Sequence, residues 1–344
     1  MSRTIKLSDV AHHAGVSVPT VSRVLRGVPN VAPELKARVD QSVTILGYRP
    51  NRLAKSLREQ RTNIIGYLSA GNTATFHNIL AQGIQDAALE RGYAVITGHG
   101  SSLEREIMYA QIFEGYHVDG LIVIPSSDSD PYLESLSRQM PIVEVDRTLG
   151  DFSRYAVLLD NRNAIAQAVD HLVQLGHSDI GLIYGDAPVS TEVERHAGFL
   201  ESLAAHGLPI NPGRLVSDVF SEAGGMRATT FLLTQDTPPT ALIVTTNEML
   251  AGAVQAIRLL GLRLPNDVSL IGMDDARWTR LMEPPLTVIV QPAYNMGYQA
   301  GQLLIQTLDD SAELPAGSRV HRLSAQLIVR SSTAPPQEVP TMAP

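Results

Sequence analysis

The sequence predicts a small all-α head followed by a larger α/β core that is divided into two doubly wound lobes. Residues 5–48 read as three short amphipathic helices joined by tight turns. From residue 63 onward, strand-like apolar runs alternate with amphipathic helices, the pattern of parallel sheets covered on both faces. Because these strands are too numerous for one sheet of ordinary width, we expect two sheets.

The composition is that of an ordinary globular protein. Of the 344 residues, 44% are hydrophobic and 18% are charged. There is no cysteine, no apolar run near the roughly 18 residues of a membrane span, and no apolar leader at the polar, basic N-terminus. We therefore expect a cytoplasmic protein that has no membrane attachment, no disulfides, no metal site and no resident cofactor.

Charge is distributed unevenly along the chain. Residues 1–61 hold eleven Lys or Arg and four Asp or Glu, a balance of +7, whereas the remainder holds sixteen Arg and thirty-one acidic residues, a balance of −15. A basic head attracts phosphates and an acidic body resists wrapping on a polyanion. The asymmetry indicates nucleic-acid binding at the N-terminus.

Residues 5–27, IKLSDVAHHAGVSVPTVSRVLRG, predict a helix, a turn at Gly15 and a second helix. Gly15 permits positive φ, Ser17 suits a helix N-cap, and Pro19 lies in a first turn where its missing N–H costs little. The second helix turns apolar residues inward and leaves polar and basic residues outward, as a DNA-reading helix-turn-helix requires. An ordinary helical hairpin is the alternative for this stretch taken alone.

A third helix starting at Pro33 would complete the head, and residues 48–51 read as a turn. Residues 52–60 predict one short helix, which would need DNA or a second copy of itself because a helix of this length is unstable alone in water. Beyond these, segments at 286–292 and 319–332 and a helix near 295–308 would cross between the lobes. The helices predicted in the core include Leu80–Arg91, Asn163–Leu175, Arg195–His206 and Met249–Leu260.

Polar and aromatic residues stand at or after the ends of several predicted strands. In doubly wound folds ligands bind at the carboxyl ends of strands, here in the cleft between two lobes. Carboxylates, amides, guanidinium groups and an aromatic ring together suit a polyhydroxyl ligand. A strand-end cap or an ion pair between lobes is the alternative role for each. The candidates are Phe76, His77, Asp146, Arg147, Asp160, Arg195, Phe220, Asn247, Asp274 and Gln291.

Six motifs occur in order across nearly the whole chain: LSDVAHHAGVSVPTVSRVLRG, YRPNRLAKSL, LVQLGHSDIGLIYG, ERHAGFLESLAAHGL, VTTNEMLAGAVQAIRLLGLRLPNDVSLIGMDD and PPLTVIVQP. Through them, residues 5–332 resemble the lac/galactose-repressor family of bacterial transcription regulators. The resemblance implies a helix-turn-helix head, a hinge helix and a two-lobed core like that of periplasmic sugar-binding proteins.

The resemblance and the crossing segments together give a domain division. We expect a DNA-binding head at 1–50, a hinge helix at 51–61, an effector-binding and dimerisation core at 62–334 and a disordered Pro-rich tail at 335–344. Within the core, the first lobe would hold residues of about 62–161 and 292–322. The second lobe would hold about 162–290 and 323–334.

DNA contacts are implied for the second helix and the hinge. Arg23 resembles a base reader, because a guanidinium can bond guanine O6 and N7 together. Val18 and Pro19 depart from the polar or aromatic readers of several family members, and Val18 offers only apolar contact to a thymine methyl. Leu57 matches a leucine that the family inserts into the minor groove, with plain helix packing as its alternative. The implied set is Ser17, Val18, Thr20, Ser22, Arg23, Asn51, Lys55 and Leu57.

The resemblance implies effector contacts for Arg195, Asn247, Asp274 and Gln291. Together with Asp146, Arg147, Phe76 and Phe220, this set is similar to the pocket of ribose-binding periplasmic proteins. A pentose-like sugar is therefore favoured. A purine corepressor would also use aromatic rings and an arginine, and His77 departs from the aromatic residue common at its position. The sequence leaves open whether the effector is a sugar or a purine, and whether it releases DNA or promotes binding.

The expected function is a ligand-responsive repressor of a carbohydrate-catabolism operon. Two-fold symmetric readers bind palindromic operators as homodimers, and the chain shows no C-terminal leucine heptad that would predict a coiled-coil tetramer. An enzyme is disfavoured because GxSxG, GxxxxGK[ST], HExxH and a GxGxxG after a strand are absent. A transport solute-binding protein would need a signal peptide and would have no basic head.

Overall fold

The computed structural model describes residues 5–25, 28–29, 31–48, 61–71, 75–127, 129–149, 155–187, 189–309 and 320–337. The chain forms two compact units that divide between Thr62 and Asn63. Most of the predicted hinge helix, residues 51–60, lies outside the described residues, and so do residues 338–344 of the predicted tail.

The described part of the first unit folds into three helices: α1 (Leu7–Ala14), α2 (Val18–Leu25) and α3 (Pro33–Leu46). Their apolar faces meet in a small core in which Val10, Val21 and Val39 are fully buried. α1 ends at Gly15, whose φ of 61° lies in the left-handed region that a residue without a Cβ adopts at little cost. The predicted three-helix head is confirmed.

The first lobe of the second unit is a parallel sheet with helices on its faces. Its strands β3 (Gly120–Val123), β4 (Ile142–Val145) and β5 (Ala156–Leu159) are buried along their whole length, as expected for parallel strands that read as continuous apolar runs. Its elements are β1 (Ile64–Ser69), α4 (Thr75–Glu90), β2 (Ala94–His99), α5 (Leu103–Gly115), β3 (Gly120–Val123), α6 (Pro131–Leu136), β4 (Ile142–Val145), β5 (Ala156–Leu159), α12 (Ala293–Asp309) and β11 (Val320–Leu323).

The second lobe repeats this plan. Its sheet is parallel except for one antiparallel pair at an edge, β10 (Thr287–Val290) with β12 (Gln326–Ile328). Its elements are α7 (Asn161–Gln174), β6 (Ile180–Gly185), α8 (Ser190–Ala205), β7 (Leu215–Asp218), α9 (Glu222–Leu233), β8 (Ala241–Val244), α10 (Asn247–Leu259), β9 (Ser269–Met273), α11 (Arg277–Leu281), β10 (Thr287–Val290) and β12 (Gln326–Ile328).

The two sheets match strand by strand. Within the described residues each has six strands, in the orders β11-β5-β4-β3-β1-β2 and β12-β10-β9-β8-β6-β7. The fold class predicted from the sequence, two doubly wound lobes behind a helical head, is confirmed. The equivalence of β4 with β9 and of β5 with β10 places corresponding residues of the two lobes in the same structural context.

The chain passes between the lobes at three short connections: Leu159 to Asn161, Val290 to Ala293, and Leu323 to Gln326. The second connection returns the chain to the first lobe, where α12 packs closely on α4. A Cβ added at Gly83 would lie 2.2 Å from the Tyr294 carbonyl oxygen, and one at Gly297 would lie 2.0 Å from that of Leu80. These glycines let the two helix backbones touch.

Two of the predicted core helices begin five residues earlier than expected. α4 begins at Thr75 and α8 at Ser190, whereas the sequence predicted starts at Leu80 and Arg195. Their first turns carry mainly polar residues, which interrupt the apolar period that identifies a helix. As a result, Phe76 stands on a helix and not in the loop before it, and Arg195 lies in the second turn of its helix and not at its start.

Candidate functional site

The carboxyl ends of strands from both lobes surround one cavity of about 400 Å³ in the second unit. This is the edge at which open α/β sheets bind ligands. Nine of the ten predicted effector residues line it: Phe76, His77, Asp146, Arg147, Arg195, Phe220, Asn247, Asp274 and Gln291.

Two aspartates hold equivalent positions at the cavity, directly after β4 and β9. Asp146 and Asp274 have φ values of 70° and 68°, in the left-handed region that Asp tolerates better than most residues. Strained backbone of this kind concentrates at ligand sites. Burial raises the pKa of Asp274 to about 6, against the opposing effects of the Gln291 hydrogen bond and the Arg195 charge.

Two side-chain amides are held in fixed orientations. The Trp278 indole N–H donates to Asn247 Oδ1 at 3.2 Å, and Gln291 Nε2 donates to Asp274 Oδ1 at 2.9 Å. Among the described residues, Asn247 Nδ2 and Gln291 Oε1 are buried and have no partner. Leaving such an atom unpaired costs about 1–3 kcal/mol. The cavity therefore offers one oriented donor and one oriented acceptor, which a hydroxyl-bearing ligand can satisfy.

An aromatic ring and a guanidinium form a second wall of the cavity. The Arg147 guanidinium carbon lies 5.9 Å from the centre of the Phe220 ring, and its Nε lies 3.4 Å from Asp146 Oδ2. The Phe220 ring rests on Gly185, where an added Cβ would lie 2.1 Å from ring atoms. Gly185 is thus required for this placement of the ring, whose face suits the C–H surface of a sugar.

The aromatic pair predicted after the first strand lies in the first turn of α4. The rings of Phe76 and His77 meet edge to face, with centroids 5.5 Å apart. Burial lowers the pKa of His77, so its ring is neutral at pH 7, and the charges of Asp146 and Arg147 act in opposite directions. His77 Nδ1 is buried without a partner in the described structure, and a neutral imidazole nitrogen can donate or accept.

Asp160 does not line the cavity. It is the N-cap of α7, where its Oδ1 accepts a hydrogen bond from the Asn163 backbone N–H at 3.1 Å. Aspartate is among the best N-cap residues, because its carboxylate satisfies backbone N–H groups left free at a helix start. This placement corrects the prediction that Asp160 binds the effector.

Sequence reasoning missed several cavity residues. Ser126 follows β3 and was open to the same strand-end argument as the others, whereas Glu192 was hidden because the start of α8 was placed too late. Thr245 follows β8 directly and lies two residues before the predicted Asn247. The further lining residues that carry polar side chains are Ser101, Ser126, Thr191, Glu192, Thr245, Thr246 and Glu248.

In the head, the predicted DNA-contacting side chains gather at the start of α2 and along it. Ser17 is the residue before α2, and its Oγ accepts from the Thr20 backbone N–H at 3.3 Å and bonds the Thr20 hydroxyl at 2.9 Å. Val18 and Arg23 are exposed, and Ser22 is partly buried. Asn51, Lys55 and Leu57 lie outside the described residues.

The turn between α1 and α2 is braced from α3. Arg38 Nη2 donates to the carbonyl oxygens of Ala14 and Gly15, at 2.5 and 3.2 Å, and so satisfies acceptors that a helix end leaves free. His13 Nδ1 forms a hydrogen bond with the hydroxyl of Ser42 at 2.9 Å. The Arg38 bonds fix the turn and thereby the orientation of α2 relative to α1 and α3.

The described part of the chain contains neither a metal-binding cluster nor a membrane-spanning helix. No group of three or more His, Asp or Glu side chains there is placed to hold a metal ion. Among the helices that the structure describes, none is both long and apolar enough to span a membrane.

A helix-turn-helix head joined to a two-lobed core with a polar cavity defines the class of ligand-binding transcription regulators. Residues 6–51 match the family model for bacterial regulatory proteins of the lacI family, and residues 169–333 match a periplasmic binding protein-like domain. The chain belongs to the lacI family of bacterial regulatory proteins.

Three comparisons illustrate this membership. The transcriptional repressor PurR of Yersinia pestis (strain Pestoides F) is 33% identical over 95% of this chain and 96% of its own. The lac repressor dimer bound to operator and the anti-inducer ONPF is 26% identical, with a TM-score of 0.84 over 96% of this chain and 100% of that chain. A LacI family regulator from Enterococcus faecium with bound ribose is 27% identical, with a TM-score of 0.72 over 80% of this chain and 100% of that chain.

These relatives are regulators and not enzymes, which confirms the expectation drawn from the absence of catalytic motifs.

Proposed function

We propose that this chain is a cytoplasmic repressor of a carbohydrate-catabolism operon, and that a small pentose-like sugar in the interlobe cavity controls its hold on operator DNA. The observation that carries the proposal is the mixed set of buried polar atoms at the cavity that have no hydrogen-bond partner. In the described structure these are His77 Nδ1, Ser126 Oγ, Arg147 Nε, Asn247 Nδ2 and Gln291 Oε1. Sugar hydroxyls both donate and accept, so one polyol can satisfy such a set.

The ligand class is tested by a thermal-shift screen of the full chain against pentoses, hexoses, polyols and purines. A ligand that binds the native state raises the apparent unfolding temperature through mass action. We expect the largest shift from a pentose, and we expect Asp274→Ala to abolish it. A shift from a purine base and from none of the sugars would refute the sugar proposal and favour a purine corepressor.

The DNA half of the proposal is a homodimer on a palindromic operator. Arg23 reads a base in each half-site, Ser17, Thr20 and Ser22 contact phosphates or base edges, and Val18 makes apolar contact. The hinge residues Asn51, Lys55 and Leu57 act at the operator centre. The domain boundaries predicted from the sequence, with a head at 1–50 and a core at 62–334, are part of this proposal.

Gel shifts with genomic fragments, with and without the ligand found in the thermal screen, test the DNA half and give the sign of the response. Arg23→Ala is expected to relax specificity at one base pair per half-site, at about 1–3 kcal/mol each. Unchanged operator preference in that variant would refute the base-reading role of Arg23.

A further inference from the structure

Glu192 lies in the first turn of α8 with only 3% of its surface exposed. Its Oε2 accepts hydrogen bonds from the Gly185 backbone N–H at 3.1 Å and the Thr245 hydroxyl at 2.8 Å, and its Oε1 accepts from Arg195 Nη1 at 2.9 Å. Donors from three elements converge on one carboxylate, which is the geometry of an anion-binding site. The chain fills that site with its own side chain.

This contact determines what Arg195 can offer a ligand. Its Nε donates to Asn161 Oδ1 at 2.9 Å, and its Nη1 donates to Glu192 and to the Thr245 carbonyl oxygen, both at 2.9 Å. Three of the five guanidinium N–H groups are thus committed. Within the described part of the chain, the two on Nη2 have no protein acceptor, and the positive charge of Arg195 is already balanced by Glu192.

Negatively charged side chains outnumber positively charged ones at the cavity. Because the neutral His77 adds nothing and Arg147 faces Asp146 at 3.4 Å, an anionic ligand would meet no unbalanced cation there. The charged groups among the described lining residues are four carboxylates and two guanidinium groups: Asp146, Glu192, Glu248 and Asp274, with Arg147 and Arg195.

We propose that Glu192 is a specificity-determining residue, which occupies an anion site beside the effector, neutralises Arg195 and restricts the cavity to uncharged polyhydroxyl ligands. Phosphorylated and carboxylated forms of the same sugars are excluded. The inference rests on the proposed sugar function and adds a selection rule to it: the regulator responds to the free sugar and not to the product of its phosphorylation.

The cavity contains its own reporter. Trp278 is the single tryptophan of the chain, and its indole donates to Asn247 in the cavity wall at 3.2 Å, so its fluorescence is sensitive to ligand binding. We would titrate the wild type, Glu192→Gln and Glu192→Ala with ribose, ribose 5-phosphate and inorganic phosphate. The matched control is Glu201→Gln, on the same helix, whose side chain is 62% exposed.

We expect the wild type and Glu201→Gln to bind ribose at least about 100-fold more tightly than ribose 5-phosphate, because a buried anion without a balancing cation is strongly disfavoured. Neither the wild type nor Glu201→Gln should bind inorganic phosphate. In Glu192→Ala the donors of Gly185, Thr245 and Arg195 are free, so inorganic phosphate should bind, and added acetate should compete with it. In both Glu192 variants the preference for ribose over its phosphate should fall at least about tenfold.

The phosphate titration of Glu192→Ala requires no effector, so it tests the anion site even where no sugar binds the wild type. If no sugar binds the wild type, the sugar proposal is refuted, but the inference about the anion site at Glu192 is not. The inference about Glu192 is overturned if folded Glu192→Ala binds no inorganic phosphate, or if the wild type binds ribose 5-phosphate as tightly as ribose. Should Glu192→Ala fail to fold, the isosteric Glu192→Gln decides, and an unchanged preference for ribose in that variant overturns the inference.

Discussion

Asp274→Asn should make the chain more stable and at the same time weaken its binding of the proposed sugar effector. Asparagine has the same shape, tolerates the left-handed φ of 68° as well as aspartate does, and can still accept the hydrogen bond from Gln291. The substitution therefore removes a negative charge at the cavity with little change in geometry.

The magnitude follows from the pKa of Asp274, which burial raises from 3.8 to about 6. Between these pH values the folded chain holds a proton that the unfolded chain has released, so the free energy of unfolding falls as pH rises through that window. At 1.36 kcal/mol per pH unit, the ionised carboxylate costs the fold about 3 kcal/mol at pH 8. At pH 5 the same linkage gives about half that cost.

Urea unfolding of the wild type and Asp274→Asn at pH 5 and pH 8 measures this difference. We expect the variant to gain about 3 kcal/mol at pH 8 and about half as much at pH 5. The exposed Glu201→Gln serves as the control and should stay within about 0.5 kcal/mol of the wild type at both values. Sugar binding by Asp274→Asn should weaken about 10- to 100-fold, because a charge-assisted hydrogen bond is lost.

A stability difference that does not change between pH 5 and pH 8 would refute the reasoning, since it would mean that Asp274 titrates alike in the folded and unfolded chain. Full sugar binding by the more stable variant would refute the role of Asp274 as a ligand residue but leave the linkage argument intact.

Three further predictions concern the head, the cavity wall and the hinge. Arg38→Met should destabilise the head by about 1–3 kcal/mol and weaken operator binding in gel shifts, and an unchanged affinity would contradict the bracing role. Gly185→Ala should weaken sugar binding at least about tenfold in the thermal-shift assay, because its methyl group displaces the Phe220 ring, while operator binding stays intact. Leu57→Ala should weaken specific operator binding far more than non-specific binding in gel shifts, and equal losses on both DNAs would refute the insertion of Leu57 into the minor groove.

The position of the cavity was predictable because it follows from topology. Parallel strands bring their carboxyl ends to one edge of a sheet, and a two-lobed core makes two such edges face each other. Asp146, Phe220 and Asp274 are far apart in sequence, yet each follows a recognisable strand. Their convergence required only the strand pattern and the expectation of two lobes.

Asp160 and Gln291 show where that reasoning fails. They follow the equivalent strands β5 and β10 and lie in the first and second crossover connections. Asp160 is followed at once by α7, so its carboxylate is used as the N-cap. Gln291 is separated from α12 by Pro292, and its amide bonds Asp274 at 2.9 Å. The strand pattern before Asp160 is the same as that before Gln291. The residues that follow each position determine whether its side chain caps a helix or lines the cavity.

The role of Glu192 could not be predicted from the sequence, for a different reason. Its importance depends on the donors of Gly185 and Thr245, which are separated from it along the chain and meet it only in the folded lobe. Its neighbour Glu194 has the same chemistry but pairs with Arg322 at 3.0 Å outside the cavity. An acidic residue that is buried and one that pairs near the surface are indistinguishable by composition, and only the exact start of α8 separates them.

The placement of Gln291 bears on how an effector could act. Gln291 lies in the Val290-to-Ala293 connection between the lobes, and its unpaired Oε1 is available to a ligand that also contacts Asp146 in one lobe and Asp274 in the other. A ligand shifts a conformational equilibrium only by its difference in affinity for the two states. Contacts that span both lobes and a crossover connection change when the lobes move relative to each other. Such contacts would therefore make the ligand bind one conformational state more tightly than the other. If the proposed sugar alters operator affinity, reciprocity requires operator DNA to alter sugar affinity by the same factor.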